Sequence, residues 1–257
     1  MSWQDYESPI TLNTDGEHKI IYTSTDRAGN REAEKEAVIK IDRTKPEILI
    51  LIPAEIRHNE ILNIEYVADD NFSGLATDTV RIYFDGSLSS TTVDLFYESI
   101  GEHEIKITTE DRAGNMAEEV ITFNIITSID GTIADINRSY EENLINEKAK
   151  DKLIKDLEAI KKFQEKFGRF ETKKDERRAE IMTRCLEKKD VEWCEEKLGK
   201  LFEKTDYIFD RISRGILTLK LKLVLAELEV YRKKNWVSEV GYGIIKEDLK
   251  YLINNLN

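Results

Sequence analysis

Few side chains in this sequence are suited to chemistry by type and spacing. Cys185 and Cys194 are the only cysteines, and His18, His58 and His103 the only histidines. The cysteines are separated by eight residues, around Glu187-Lys188-Lys189-Asp190, which reads as a corner between two helices. That spacing fits a disulfide stapling a helical hairpin in an oxidising compartment, with two unrelated buried thiols as the alternative. The even count favours the bond. A metal centre on this pair is poor: no histidine lies in the second half of the chain, and two thiolates fill half a tetrahedral shell.

Asp69, Asp70 and Asn71, with Asp26 or Asp111, offer hard oxygen ligands in loops and are the calcium candidates, though turn capping explains the same residues. No other cofactor is expected. Trp236 and Tyr242 near the C-terminus, with Trp193, Phe202, Tyr207 and Phe209, are candidates to line a groove, and Trp236 and Tyr242 are the candidates for a partner surface, with core packing as the alternative. Phosphate loops, nucleophile elbows and zinc-helix motifs are absent from the sequence. Carboxylates are too abundant for any one pair to stand out as acid and base. Asn71 and Asn137 begin N-glycosylation triplets.

At 257 residues and 40% hydrophobic content the chain can build two ordinary cores. Its formal charge of −12 is unevenly placed. Residues 1–127 carry 11 basic and 25 acidic side chains, a net of −14, and residues 128–257 carry 28 and 26, a net of +2. The acidic front half repels phosphate backbones, so no nucleic-acid partner is expected. No apolar run reaches the length of a membrane span, and Met1-Ser2-Trp3-Gln4-Asp5 lacks the basic and apolar stretches of a signal peptide. The chain is therefore either cytosolic or a piece of a longer exported protein.

The elements that must position these residues begin with a repeat. Gly16-Glu17-His18-Lys19-Ile20 is matched by Gly101-Glu102-His103-Glu104-Ile105, and Asp26-Arg27-Ala28-Gly29-Asn30 by Asp111-Arg112-Ala113-Gly114-Asn115, both at an offset of 85. His18 and His103 thus hold one repeat position, which reads as part of the fold, and no catalytic histidine is expected. Each block predicts strand, turn, strand, with Gly29 and Gly114 supplying positive φ. The second block has upstream strands from Glu47 onward; the first has almost nothing before Trp3, which favours a piece of a longer chain. The predicted domains are 1–44, the end of one repeat; 45–127, a complete β-sandwich of about seven strands; and 128–257, a helical bundle.

After Thr127 the apolar period lengthens towards 3.6, with Ala149, Leu153, Leu157, Ile160, Phe163 and Phe167 on one face. Six helices are predicted, at about 129–142, 147–167, 174–188, 191–211, 216–234 and 239–255. A weaker duplication at an offset of 92 aligns Asn143-Leu144-Ile145-Asn146-Glu147 with Asn235-Trp236-Val237-Ser238-Glu239, and Asp156 with Asp248. Asn146 and Ser238 are suitable N-caps.

Glu17 through Asn30, followed by Ile41-Asp42-Arg43-Thr44-Lys45-Pro46, with the Asp70-Asn71-Phe72-Ser73-Gly74 loop, resembles the tandem immunoglobulin-like or fibronectin-III-like repeats of bacterial and archaeal surface proteins. Thr127 to Leu157 and its duplicate are similar to the FIMAH-type helical domains at the C-termini of exported hydrolases, apart from a charged insertion at roughly 168–200. The resemblance implies all-β immunoglobulin-like repeats, the first truncated, followed by an all-α bundle. It implies an extracellular or cell-surface location and a non-catalytic spacer, adhesion or docking role towards a protein or cell-envelope component. The alternatives are a carbohydrate-binding or accessory region of an exported hydrolase, for which Tyr83, Phe84, Phe96 and Tyr97 are the aromatics to inspect, and a carboxylate-based glycosidase.

Overall fold

In the computed structural model, which describes residues 3–76, 78–187, 189 and 191–256, a β-sheet region precedes four helices. The strands are β1 (Gly16–Tyr22), β2 (Lys35–Ile41), β3 (Glu47–Leu51), β4 (Glu55–Arg57), β5 (Ile61–Asn63), β6 (Glu65–Asp69), β7 (Arg81–Phe84), β8 (Ser87–Ser89), β9 (Thr92–Asp94), β10 (Gly101–Glu110) and β11 (Met116–Ile126). A 3-10 turn covers Leu95–Tyr97. The helices are α1 (Ile129–Glu141), α2 (Glu147–Leu186), α3 (Val191–Lys233) and α4 (Glu239–Asn254). Sheet orders are β1-β2, β3-β6, β5-β9 and β4-β11-β10-β7-β8.

The chain forms two compact units. The first comprises residues 1–53, 63–92 and 103–122. In it β1 pairs with β2 in antiparallel register from Gly16↔Ile41 to Tyr22↔Lys35, and β3 pairs with β6 from Glu47↔Asp69 to Leu51↔Glu65. Among the described residues none before Pro46 is buried, whereas Ile64, Ile82, Phe84, Ile105 and Ile107 are buried. The repeated turns agree bond for bond. Asp26 Oδ1 accepts from the backbone N–H groups of Ala28 and Asn30, and Asp111 Oδ1 from those of Ala113 and Asn115. Each Oδ2 accepts from the following Asn side chain, and Gly29 and Gly114 have φ of 88° and 93°. The aspartates serve the turns because they satisfy donors that a tight loop leaves unpaired.

The second unit comprises residues 54–62, 93–102 and 123–257. Here β4 runs parallel to the end of β11, from Glu55↔Asn124 to Arg57↔Ile126. Ser128, Asn146 and Ser238 cap α1, α2 and α4, their side-chain oxygens accepting from Gly131, Ala149 and Gly241. The helical core holds Ile129, Ile136, Leu153, Leu157 and Ile160 against Leu217, Leu221, Leu228, Ile245 and Leu249.

Four helices stand where six were expected. α2 continues through Gly168 and α3 through Gly215, because a glycine costs a helix only about 1 kcal/mol and neither is followed by proline. Phe167 packs on Phe209 across the hairpin at 4.7 Å between ring centroids. Lys188 and Asp190 of the expected corner lie outside the described residues.

The 92-residue duplication is visible as a reciprocal pair of corners. Asn143 and Asn235 end α1 and α3 with φ of 59° and 57°, and Ile145 and Val237 then meet in an antiparallel bridge. Asn146 N–H donates to Trp236 C=O at 2.8 Å, and Ser238 N–H to Leu144 C=O at 2.7 Å, so each corner gives the other the same bond.

Candidate functional site

Cys185 and Cys194 are joined in a disulfide, with Cα atoms 6.0 Å apart, closing the α2–α3 hairpin near its tip. The last fully enclosed core residue on α2 is Ile160, so the hairpin runs on for 25 residues, about 37 Å of helix. Asp206 receives Lys174 at 2.5 Å and Arg178 at 2.6 Å, and these two bonds draw its carboxyl down to about 2. Arg178 also donates to Phe202 C=O and stacks on the Phe202 ring.

On α3 the core-facing residues Leu217, Leu221, Val224, Leu228 and Tyr231 are accompanied by a second apolar line that touches no core. Leu201, Ile208, Ile212, Leu219, Leu223 and Val230 are spaced 7, 4, 7, 4, 7 and are 45 to 61% exposed. An eleven-residue repeat advances 3.67 residues per turn, so these six keep to one side of the helix for its length. Lys204, Arg211 and Lys222 fall along one edge. Trp236 and Tyr242, the residues expected to meet a partner, are partly buried against the helical core: Trp236 stacks with Tyr231 at 5.5 Å, and Arg232 lies over Tyr242 at 4.6 Å.

Of the calcium candidates, Asp70 and Asp111 come together with Asp42, their ligand atoms within 4.8 Å of one another, while Asp69 and Asn71 remain exposed outside the group. Turn donors occupy the group. Asp70 Oδ1 accepts from Phe72 N–H, Ser73 Oγ–H and Gly74 N–H, and Asp42 Oδ2 from Ser73 N–H. Asp42 is held below the usual carboxylate range, chiefly by the Ser73 side chain. Phe84 and Phe96 are buried, Lys106 lies over Tyr83, and Tyr97 donates to Glu142.

The matched histidines take different partners: His18 Nε2 bonds Thr14 C=O and His103 Nδ1 bonds Asp85. The histidine that sequence reasoning passed over is the most enclosed. His58 follows β4, and its N–H extends the β4–β11 pairing by donating to Ile126 C=O. Its ring is 1% exposed, its Nε2 is 3.0 Å from Glu98 C=O, and its Nδ1 lies 3.1 Å from Asp135 Oδ2 on α1 and 3.2 Å from Asp248 Oδ1 on α4. Both aspartates have no exposed side-chain surface. Burial opposes the charged ring, but the bonds to Asp135 and Asp248 outweigh it and raise His58; burial likewise raises Asp248. Around this cluster Arg138 stacks on Phe96 at 4.1 Å, grips Asp94 with both terminal nitrogens and donates through Nε to Glu142 at 2.8 Å.

A signal for the cluster existed in the sequence. Asp135 interrupts the apolar face Ile129, Thr132, Ile136, and Asp248 interrupts Ile244, Ile245, Leu249, Leu252. A carboxylate in the middle of a core face must find a buried partner. Comparison with protein-family models gives no match, and comparison with curated protein sequences gives none either. Among the described residues no helix is long and apolar enough to cross a membrane.

Proposed function

We propose that this chain is a non-catalytic spacer and docking region of a secreted or cell-surface protein, in which immunoglobulin-like repeats carry a helical domain whose α2–α3 hairpin binds a protein partner. The observation that carries this reading is the exposed apolar line on α3. A helix that is apolar on one face buries that face; a second apolar line left in water for about 44 Å is retained where another surface covers it. The basic edge formed by Lys204, Arg211 and Lys222 selects a partner with an apolar ridge flanked by carboxylates. The duplicated Asp-Arg-Ala-Gly-Asn turns support the repeat reading, and the disulfide is compatible with an oxidising, extracellular setting.

The test is a photoreactive residue at position 223 in the producing cell, with and without Ile212→Lys and Leu219→Lys, both exposed sites that leave the core intact. A discrete adduct with a heterologous acidic protein, lost in the double variant, is the expected result. An adduct unaffected by the two lysines, an adduct with a second copy of this chain, or no adduct refutes it.

A further inference from the structure

Three acceptors converge on one point in the second unit. The Glu98 carbonyl can only accept, so the bond to it places a proton on His58 Nε2. In the neutral ring Nδ1 is then a lone pair facing two carboxylates at 3.1 and 3.2 Å. Fully buried acceptors of this kind require a cation between them. With both carboxylates ionised, one proton on Nδ1 leaves the cluster at −1. It also leaves Asp135 Oδ1 and both oxygens of Asp248 without a well-directed donor among the described residues. A divalent ion neutralises two aspartates and a neutral imidazole, and takes up those oxygens.

We propose that His58, Asp135 and Asp248 form a structural metal site for a divalent transition ion of the zinc class. The spacing suits it: with ligands about 2.1 Å from the ion, separations of 3.1 and 3.2 Å correspond to angles of about 95–100° at the metal. One imidazole with carboxylates selects zinc, manganese or iron over the all-oxygen preference of calcium and magnesium. A backbone carbonyl on the far ring nitrogen is the usual support of a metal-binding histidine, fixing both tautomer and ring plane. The side chains are enclosed, so the ion would cross-link the turn after β4, α1 and α4 rather than meet a substrate.

The duplication supplies an internal comparison. At an offset of 92, Asp135 and Asp248 correspond to Glu227 and Asp156, and there Lys152 lies 3.8 and 3.5 Å from the two carboxylates. The position matching Lys152 in the other half is Ile244, which is buried. The open carboxylate pair takes its cation from its own helix. The sealed pair has lost that lysine, and its counter-charge comes from outside the duplicated helices.

The experiment uses the full chain, purified without a metal-affinity tag. Elemental analysis should find one zinc or manganese ion per chain after exhaustive dialysis. Cobalt substitution should give visible d–d absorption. Dipicolinate should lower the melting midpoint of the wild-type protein by about 10 °C or more, reversed by adding ZnCl2 or MnCl2. Asp248→Asn preserves the side-chain shape; it should lose at least nine-tenths of the bound metal and melt at the same temperature with or without chelator. Wild-type protein that stays metal-free after equilibration with zinc, manganese and ferrous ions, and whose His58 ring shows both N–H protons by NMR, overturns the proposal in favour of a buried imidazolium. Metal that remains at full occupancy in Asp248→Asn overturns it as well.

Discussion

Breaking the Cys185–Cys194 bond should loosen one part of the helical domain and spare the rest. The bond closes a loop with a sequence separation of 9, for which the chain-entropy relation gives about 2–3 kcal/mol. That stabilisation cannot spread over the whole domain, because the core ends near Ile160 and Leu217, and the hairpin beyond is tied among the described residues by Phe167 on Phe209, by Asp206 with Lys174 and Arg178, and by Arg178 with Phe202 and Thr205. Local opening of residues 168–212 should become easier by about 2–3 kcal/mol, roughly a hundredfold loss of amide protection there. Residues 129–160 and 217–253 should keep theirs. Hydrogen exchange followed by mass spectrometry, on oxidised protein and on the Cys185→Ser, Cys194→Ser double variant, reads this segment by segment. Equal exchange in the two proteins, or a loss of protection that reaches the core helices to the same extent, refutes the reasoning.

Two glycines in α4 should respond in opposite senses. A Cβ at Gly241 would meet Leu144 Cβ and C=O at 3.1 Å, so Gly241→Ala should destabilise by about 1–3 kcal/mol, while Gly243, with nothing within 4 Å, should gain about 0.5–1 kcal/mol as alanine; urea melts compare them. Asn143→Ala and Asn235→Ala remove the short polar side chain that eases left-handed backbone and should each cost about 1 kcal/mol by the same assay, whereas the glycine variants should be near neutral. Asp206 is held below its ordinary value by Arg178 and Lys174, so its contribution is full above about pH 4 and is lost as the pH falls towards 2. Hydrogen exchange in the distal hairpin between pH 5 and 2.5 should show that loss, weakened by salt because the group is half exposed, and Asp206→Asn should abolish it.

The division into strands followed by helices was legible because turn chemistry and apolar period are local. Asp111 and Gly114 announce a hairpin wherever they occur, and Leu153, Leu157 and Ile160 announce a helix face. The reciprocal corners were legible as a duplication, since Asn143 and Asn235 share both residue type and backbone demand. Helix length was not: a glycine lowers propensity by the same amount whether or not an aromatic pair such as Phe167 and Phe209 compensates across the hairpin. The His58 cluster was hidden for a different reason. Its three members are 77 and 113 positions apart along the chain, and nothing near His58 in sequence marks it as buried. Only the two aspartates, each set in an apolar face, record that something must meet them. The exposed line on α3 is hidden in the sequence because Leu201, Ile212 and Leu223 read as ordinary core until the opposite face is seen to be the one enclosed.

The paired corners have a mechanical consequence. Ile145 and Val237 are neighbours in space and 92 residues apart in the chain, and α1 packs directly on α4. Tension applied at the two ends of the helical segment therefore passes from α1 to α4 through the core and the corner bridge, and bypasses the hairpin. The hairpin is slack held in reserve: rupture of the corners followed by unfolding of α2 and α3 would release about 300 Å of extended chain. The disulfide withholds the eight residues between its cysteines, about 30 Å, so an oxidised molecule should reach its limit of extension measurably sooner than a reduced one.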